Sequence, residues 1–105
     1  MDVDASGAVF AALGDPTRRR LIGELGARGS ATATELAAEL PVTRQAVAKH
    51  LATLSAAGLV DGLRSGRETR YRLTPRPLED AARWMAGVGA EWDERLEALR
   101  RHLAR

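Results

Sequence analysis

Cysteine is absent from this chain of 105 residues. Its absence excludes a disulfide framework and any thiolate metal site, and it fits a reducing compartment. Lysine occurs once, at Lys49, against 15 arginines, and histidine twice, at His50 and His102. Imidazoles that sparse make poor ligation for a transition metal, so neither a metal nor a cofactor is expected. Long hydrophobic runs are missing too: the longest fall far below the span of a bilayer. The N-terminus, MDVDASGAVF, is acidic where a secretory signal would be basic. These absences point to a cytoplasmic protein with no membrane segment. There is no P-loop, no dinucleotide glycine pattern and no histidine beside an evident acid, and Ser55 and Ser65 have no base in view. An enzyme is not expected.

What is present fits one domain over residues 1–105. A chain of that length can bury roughly two-thirds of its unfolded surface without a covalent staple. The net charge of +2 is unevenly spread: residues 1–41 carry −2, residues 42–76 carry +5 and residues 77–105 carry −1. A basic middle third favours a polyanion through phosphate neutralisation and counterion release. It is equally compatible with an arginine-rich solvated surface, so organisation has to decide.

Val9, Phe10 and Leu13 share one side of a short first helix ending near Gly14. DPTRRRLIGELGARG restarts the pattern, with Asp15 as N-cap, Pro16 at the first helical position and Leu21, Ile22 and Leu25 as the apolar stripe. TATE, Thr32 to Glu35, is a capping box opening a helix that carries Leu36, Ala37 and Leu40 and cannot pass Pro41. Two residues later Thr43 can cap another helix. Its buried stripe is Val47, Leu51 and Leu54, and Gly58 marks its stop. Two helices joined by so tight a turn form a helix-turn-helix pattern. Then the period changes to two: Thr69, Tyr71 and Leu73 alternate with Arg70 and Arg72, and Gly66 marks a hairpin. TPRP interrupts the chain before a long helix striped by Leu78, Ala81, Met85, Val88, Trp92, Leu96, Leu99 and Leu103. The fold class is mainly α with a β-hairpin wing, in the order α-α-α-α-β-β-α.

The second helix of the pair turns Val47, Leu51 and Leu54 inward. Gln45, Lys49 and Ala52 lie opposite, flanked by Ala48 and Thr53, with Thr43 and Arg44 at the N-terminal tip. A recognition helix needs this arrangement: N-terminal residues that reach base edges and small residues that let the backbone approach. Arg44 can present a fork to guanine, Gln45 can pair with adenine, and Lys49 can reach a phosphate or a guanine. An ordinary amphipathic helix would share the pattern, but not the basic hairpin that follows it. There Arg64, Arg67, Arg70 and Arg72 supply four cations within nine residues. They suit phosphate or the adjacent minor groove, Arg67 first and Arg70 second. Double-stranded DNA is the expected partner.

Four stretches together, ALGDPTRRRLIGEL, TATELAAEL, TRQAVAKHLATLSAAGLV and GRETRYRLTPRPL, resemble the ArsR-type winged helix-turn-helix transcriptional repressors over roughly residues 8 to 100. The resemblance implies a homodimer that binds a palindromic operator near its own promoter. It places the DNA-reading helix on residues 43–57 and the wing on residues 59–73. Metal-sensing members of that family carry cysteines in the helix that spans residues 33–40 here, or His and Asp ligands in the last helix. This chain reads ELAAEL in the first place and offers only His102 in the second, so it resembles the metal-independent subgroup. Pro41 stands where the family often has glycine.

The last helix, residues 78–104, has the residues for a dimer interface: Met85, Val88, Trp92, Leu96 and Leu99, joined by Phe10 of the first helix. Trp84 and Trp92 are either anchors for a partner or caps on the protomer's own core. Gly87 and Gly89 either permit close helix approach or break the helix there. His50, near the inward edge of the recognition helix, reads as a satisfied semi-buried residue. Two alternatives to a DNA-binding repressor stay open: a winged-helix protein-interaction module that has lost DNA binding, and a repressor that senses a small organic ligand.

Overall fold

Asp15 caps the second helix as its chemistry requires: its carboxylate accepts the Arg18 backbone N–H at 3.0 Å, with Pro16 in the first turn. The computed structural model describes residues 3–104, with side chains from Gly7 onward; Met1, Asp2 and Arg105 lie outside the described residues. In chain order the elements are α1 (Val3–Leu13), α2 (Pro16–Arg28), β1 (Ala31–Thr32), α3 (Ala33–Glu39), α4 (Arg44–Ala56), β2 (Val60–Ser65), β3 (Glu68–Leu73) and α5 (Pro75–Leu103). The helices and the hairpin follow the expected order. The addition is β1, a two-residue strand that pairs antiparallel with β3, so the sheet has three strands in the order β1-β3-β2.

Local chemistry sets most boundaries. Thr32 and Glu35 form the complete capping box of α3, each side chain bonded to the other's backbone N–H. The Thr43 hydroxyl accepts the Ala46 N–H at 3.1 Å and starts α4. Gly58, at φ 77°, ends α4 in a left-handed residue. Its N–H reaches Ser55 O and that of Leu59 reaches Leu54 O, both at 2.9 Å, which is the Schellman arrangement. Leu54 and Leu59, both 0% exposed, belong to the same buried core cluster. The hairpin turns through Gly66 and Arg67 with Ser65 opposite Glu68, and Gly66 takes the positive φ of 61° that a two-residue turn with one glycine requires.

The core sits where α1 to α4 and the base of the sheet converge. Leu21, Leu25, Leu36, Val47, Leu51, Leu54 and Leu59 are its largest sealed side chains. Asp15 is not the only polar residue holding the α1–α2 junction. Arg18 donates to Ala12 O at 2.6 Å and Ala11 O at 3.2 Å, and Arg19 to Leu13 O at 2.8 Å. These arginines bond the carbonyls that end α1, of which Ala11 O also accepts the Gly14 N–H at 3.1 Å.

In α5 one sequence reading is corrected and one open alternative is decided. TPRP does not separate the wing from the last helix: α5 begins at Pro75, and Thr74 is its N-cap. Proline at the first position costs nothing, because the N–H it lacks has no partner in a first turn, and the same holds for Pro77 two residues on. The helix therefore starts three residues before residue 78, and it ends at Leu103. Gly87 and Gly89 do not break it, since α5 runs unbroken through both. Of its residues only Ala81 is buried. The radius of gyration is 18.2 Å, against about 13 Å for a compact chain of this length. The excess arises because the outer part of α5 stands off the body. No described helix is long and apolar enough to cross a membrane.

Candidate nucleic-acid interface

The buried stripe of α4 determines what its other face does. With Val47, Leu51 and Leu54 each 0% exposed, Thr43, Arg44, Gln45, Ala48, Lys49, Ala52 and Thr53 are left exposed. The Thr53 hydroxyl donates back to Lys49 O at 3.3 Å. Arg44 is steadied from the preceding helix, its Nε donating to Thr34 Oγ1 at 2.9 Å. Thus α3 holds the tip of α4, a link that sequence spacing does not reveal.

The wing closes one side of a cleft whose other walls are α3 and α4. Arg44 and Ala48 line it from α4, Thr34 and Glu35 from α3, and Arg64, Arg67 and Arg70 from the wing. Of the five arginines expected at the tip of α4 and on the hairpin, four are therefore brought together, while Arg72 is exposed and does not line the cleft. Lys49 lies on a neighbouring shallow hollow with Arg18, His50 and Thr53. Among the wing arginines, Arg64 Nε donates to Gly66 O at 3.3 Å across the turn. Arg70 is engaged more heavily, at 3.0 Å from Glu35 Oε1, 3.5 Å from Ser30 Oγ and 4.0 Å from Glu68 Oε2. The Thr32 backbone N–H and hydroxyl, and then the Arg70 guanidinium, hold the Glu35 carboxyl below its ordinary value of 4.5. Above that value Glu35 is charged whether the chain is folded or not, and these bonds contribute in full. The contribution is lost as the pH falls through the depressed folded value.

His50 has the structural setting expected of it. Its Nδ1 lies 3.4 Å from Arg18 Nη1 and 4.0 Å from the Asp15 carboxylate. It ties α4 to the cap of α2. Arg18 and Glu35 are the two residues that the sequence reading missed as organisers of this surface. DPTRR and the capping box did mark their positions, but not their distant partners.

The proposed dimer residues fall into two groups. Phe10 is half-buried, with its ring 5.5 Å from that of Trp84, and Val88 is intermediate. Met85, Trp92, Leu96 and Leu99 are 47–55% exposed. Neither tryptophan is sealed into the protomer core, and Arg95 lies over the Trp92 ring at 5.2 Å. Among the described residues no three His, Cys, Asp or Glu side chains gather as a metal site.

A bare second helix beside a glycine-tipped basic hairpin defines a winged helix-turn-helix DNA-binding unit. Comparison with known proteins agrees. Residues 13–62 match the family model for a helix-turn-helix domain. The chain is 42% identical over 79 residues to an uncharacterised HTH-type transcriptional regulator, YuzN, of Bacillus subtilis, covering 70% of this chain and 86% of the relative. It superposes on an ArsR-like transcriptional regulator from Rhodococcus sp. RHA1 with a TM-score of 0.79 at 48% identity, over 93% of this chain and 92% of the other. A homodimeric winged helix-turn-helix DNA-binding domain of Mycobacterium bovis, a possible ArsR-family regulator, aligns with a TM-score of 0.66 at 29% identity, over 90% and 84% of the two chains. The chain belongs to the ArsR family of winged helix-turn-helix transcriptional regulators. It is a DNA-binding regulator, not an enzyme.

Proposed function

We propose that the protein is a homodimeric cytoplasmic repressor of its own or a neighbouring operon, acting without a metal or cofactor. The observation that carries this reading is the convergence of Arg44, Arg64, Arg67 and Arg70 on one cleft, beside the exposed face of α4. α4, with its caps at residues 43–57, enters the major groove. Arg44 and Gln45 read base edges there, while Thr43, Lys49 and Thr53 contact the backbone or neighbouring bases. The wing, residues 59–73, lies on the phosphates or the adjacent minor groove through Arg64, Arg67 and Arg70. Two copies joined along α5 through Met85, Val88, Trp92, Leu96 and Leu99, with Phe10 beside them, present two recognition helices to half-sites about one helical turn apart. Seated on a promoter, such a dimer excludes polymerase by occupancy alone.

The test is binding of a duplex from the gene's own upstream region, followed by fluorescence anisotropy as salt is raised. Neutralising about six phosphates gives a log–log slope near −5, and a flat response would overturn the DNA reading. Two variants then separate the roles. Arg44→Ala is expected to lose roughly 1–3 kcal/mol of discrimination between operator and altered bases. Arg67→Ala should weaken all duplexes alike and make the slope shallower by about 1. Equal, sequence-independent losses from both would remove Arg44 from base reading.

A further inference from the structure

Glu35 carries more than its helix cap requires. A capping box works with glutamine as well as glutamate at this position, so the cap alone does not call for a carboxylate. A negative charge in a cleft built to meet phosphate opposes binding. Yet Glu35 lines that cleft. Its Oε1 accepts two bonds, from the Thr32 backbone N–H at 3.1 Å and from Arg70 Nη2 at 3.0 Å. Thr32 is at once the N-cap of α3 and the residue opposite Arg70 in the β1–β3 pairing. Helix cap, strand pairing and ion pair thus meet at one point. β1 has only two residues, so the ladder that fastens the wing to the helix-turn-helix is minimal, and the ion pair is a side-chain tie across the same junction.

We propose that Glu35 is a positioning residue for operator recognition: its carboxylate holds Arg70, and with it the base of the wing, in register with the recognition helix. It also keeps that cation from indiscriminate contact with phosphate. An operator phosphate then competes for a guanidinium already in place, whereas a random duplex must first separate it from Glu35. The proposal rests on the DNA-binding reading above. An exposed ion pair adds little to folding stability, so its effect should appear in selectivity rather than in the melting temperature.

The experiment compares the full chain with Glu35→Gln on two probes, the footprinted upstream duplex and a random-sequence duplex of equal length, across a salt series. Glutamine retains the cap and frees Arg70. Affinity for the random duplex should rise roughly 3–10-fold and the salt slope steepen by about 0.9, the gain of one phosphate contact. The ratio of operator to random affinity should fall by the same factor while the melting curve stays in place. Adding Arg70→Ala to Glu35→Gln should abolish the gain. An unchanged ratio and slope in Glu35→Gln, or a gain that survives the loss of Arg70, overturns the proposal. Should Glu35→Gln melt early, Arg70→Ala alone decides: the proposal requires operator affinity to fall further than random affinity, and equal losses overturn it. A wild-type protein with a flat salt response would sink the DNA reading itself. A steep wild type matched by Glu35→Gln would sink only the role of Glu35.

Discussion

Replacing Leu51 with alanine is expected to cost about 2–5 kcal/mol of folding stability, and DNA binding is lost where the fold is lost. Leu51 is 0% exposed on the inner face of α4, in a core shared with α2, α3 and the base of the hairpin. Cutting it back removes apolar contact and leaves a cavity that helices held on several sides cannot close. A single domain of this size holds only about 5–15 kcal/mol in all, so the loss is a large share of the total. At roughly 4–8 °C per kcal/mol, thermal unfolding followed by circular dichroism should show a midpoint lowered by at least about 8 °C. A variant that melts within two or three degrees of wild type would mean that α4 is not anchored as described. Its outer face would then lack the rigid support that base reading needs.

The second large effect is expected at the other end of the molecule. Leu96→Arg should leave the protomer folded, because Leu96 is 47% exposed and belongs to the standing part of α5 rather than to the core. Facing a second α5, the same arginine would bury a charge against Trp92 and Leu99 without a partner. Sedimentation should then show a monomer at micromolar concentration. Operator affinity should fall roughly 10²–10⁴-fold, because two half-sites bound independently lose the benefit of linkage. A Leu96→Arg protein that still sediments as a dimer would move the interface away from the stripe of Met85, Trp92, Leu96 and Leu99.

These two predictions draw on parts of the molecule that differ in how far they could be read beforehand. The stripe of α4 is a local pattern: three apolar residues at helical spacing between Thr43 and Gly58 admit one buried face and, by elimination, one exposed face. The candidate site residues on that face are exposed as their spacing implies. The exposed apolar stripe of α5 was legible for the same reason, as an apolar face longer than the body it meets. Its starting point was not. Pro75 and Pro77 look like breakers when read as a string, yet the first turn of a helix is the place where a missing N–H goes unnoticed. Likewise Gly87 and Gly89 lower helix propensity by about 1 kcal/mol each, but α5 continues through both.

The sequence by itself determined the parts whose causes lie within a few residues. These are the capping box of Thr32 and Glu35, the caps at Asp15 and Thr43, the Schellman close at Gly58, the turn at Gly66 and the apolar faces between them. Each is a short-range bond or period that the chain adopts wherever it happens to be. Only the tertiary structure decided which distant groups these elements bring together. It set Arg70 against Glu35, 35 residues away. It set Arg18 against the carbonyls ending α1 and against His50, 32 residues on. It paired a two-residue strand with the wing. No period announces such meetings, because they depend on how the helices cross over a common core. The charge of the wing could therefore be counted from the sequence, but its sharing with Glu35 could not.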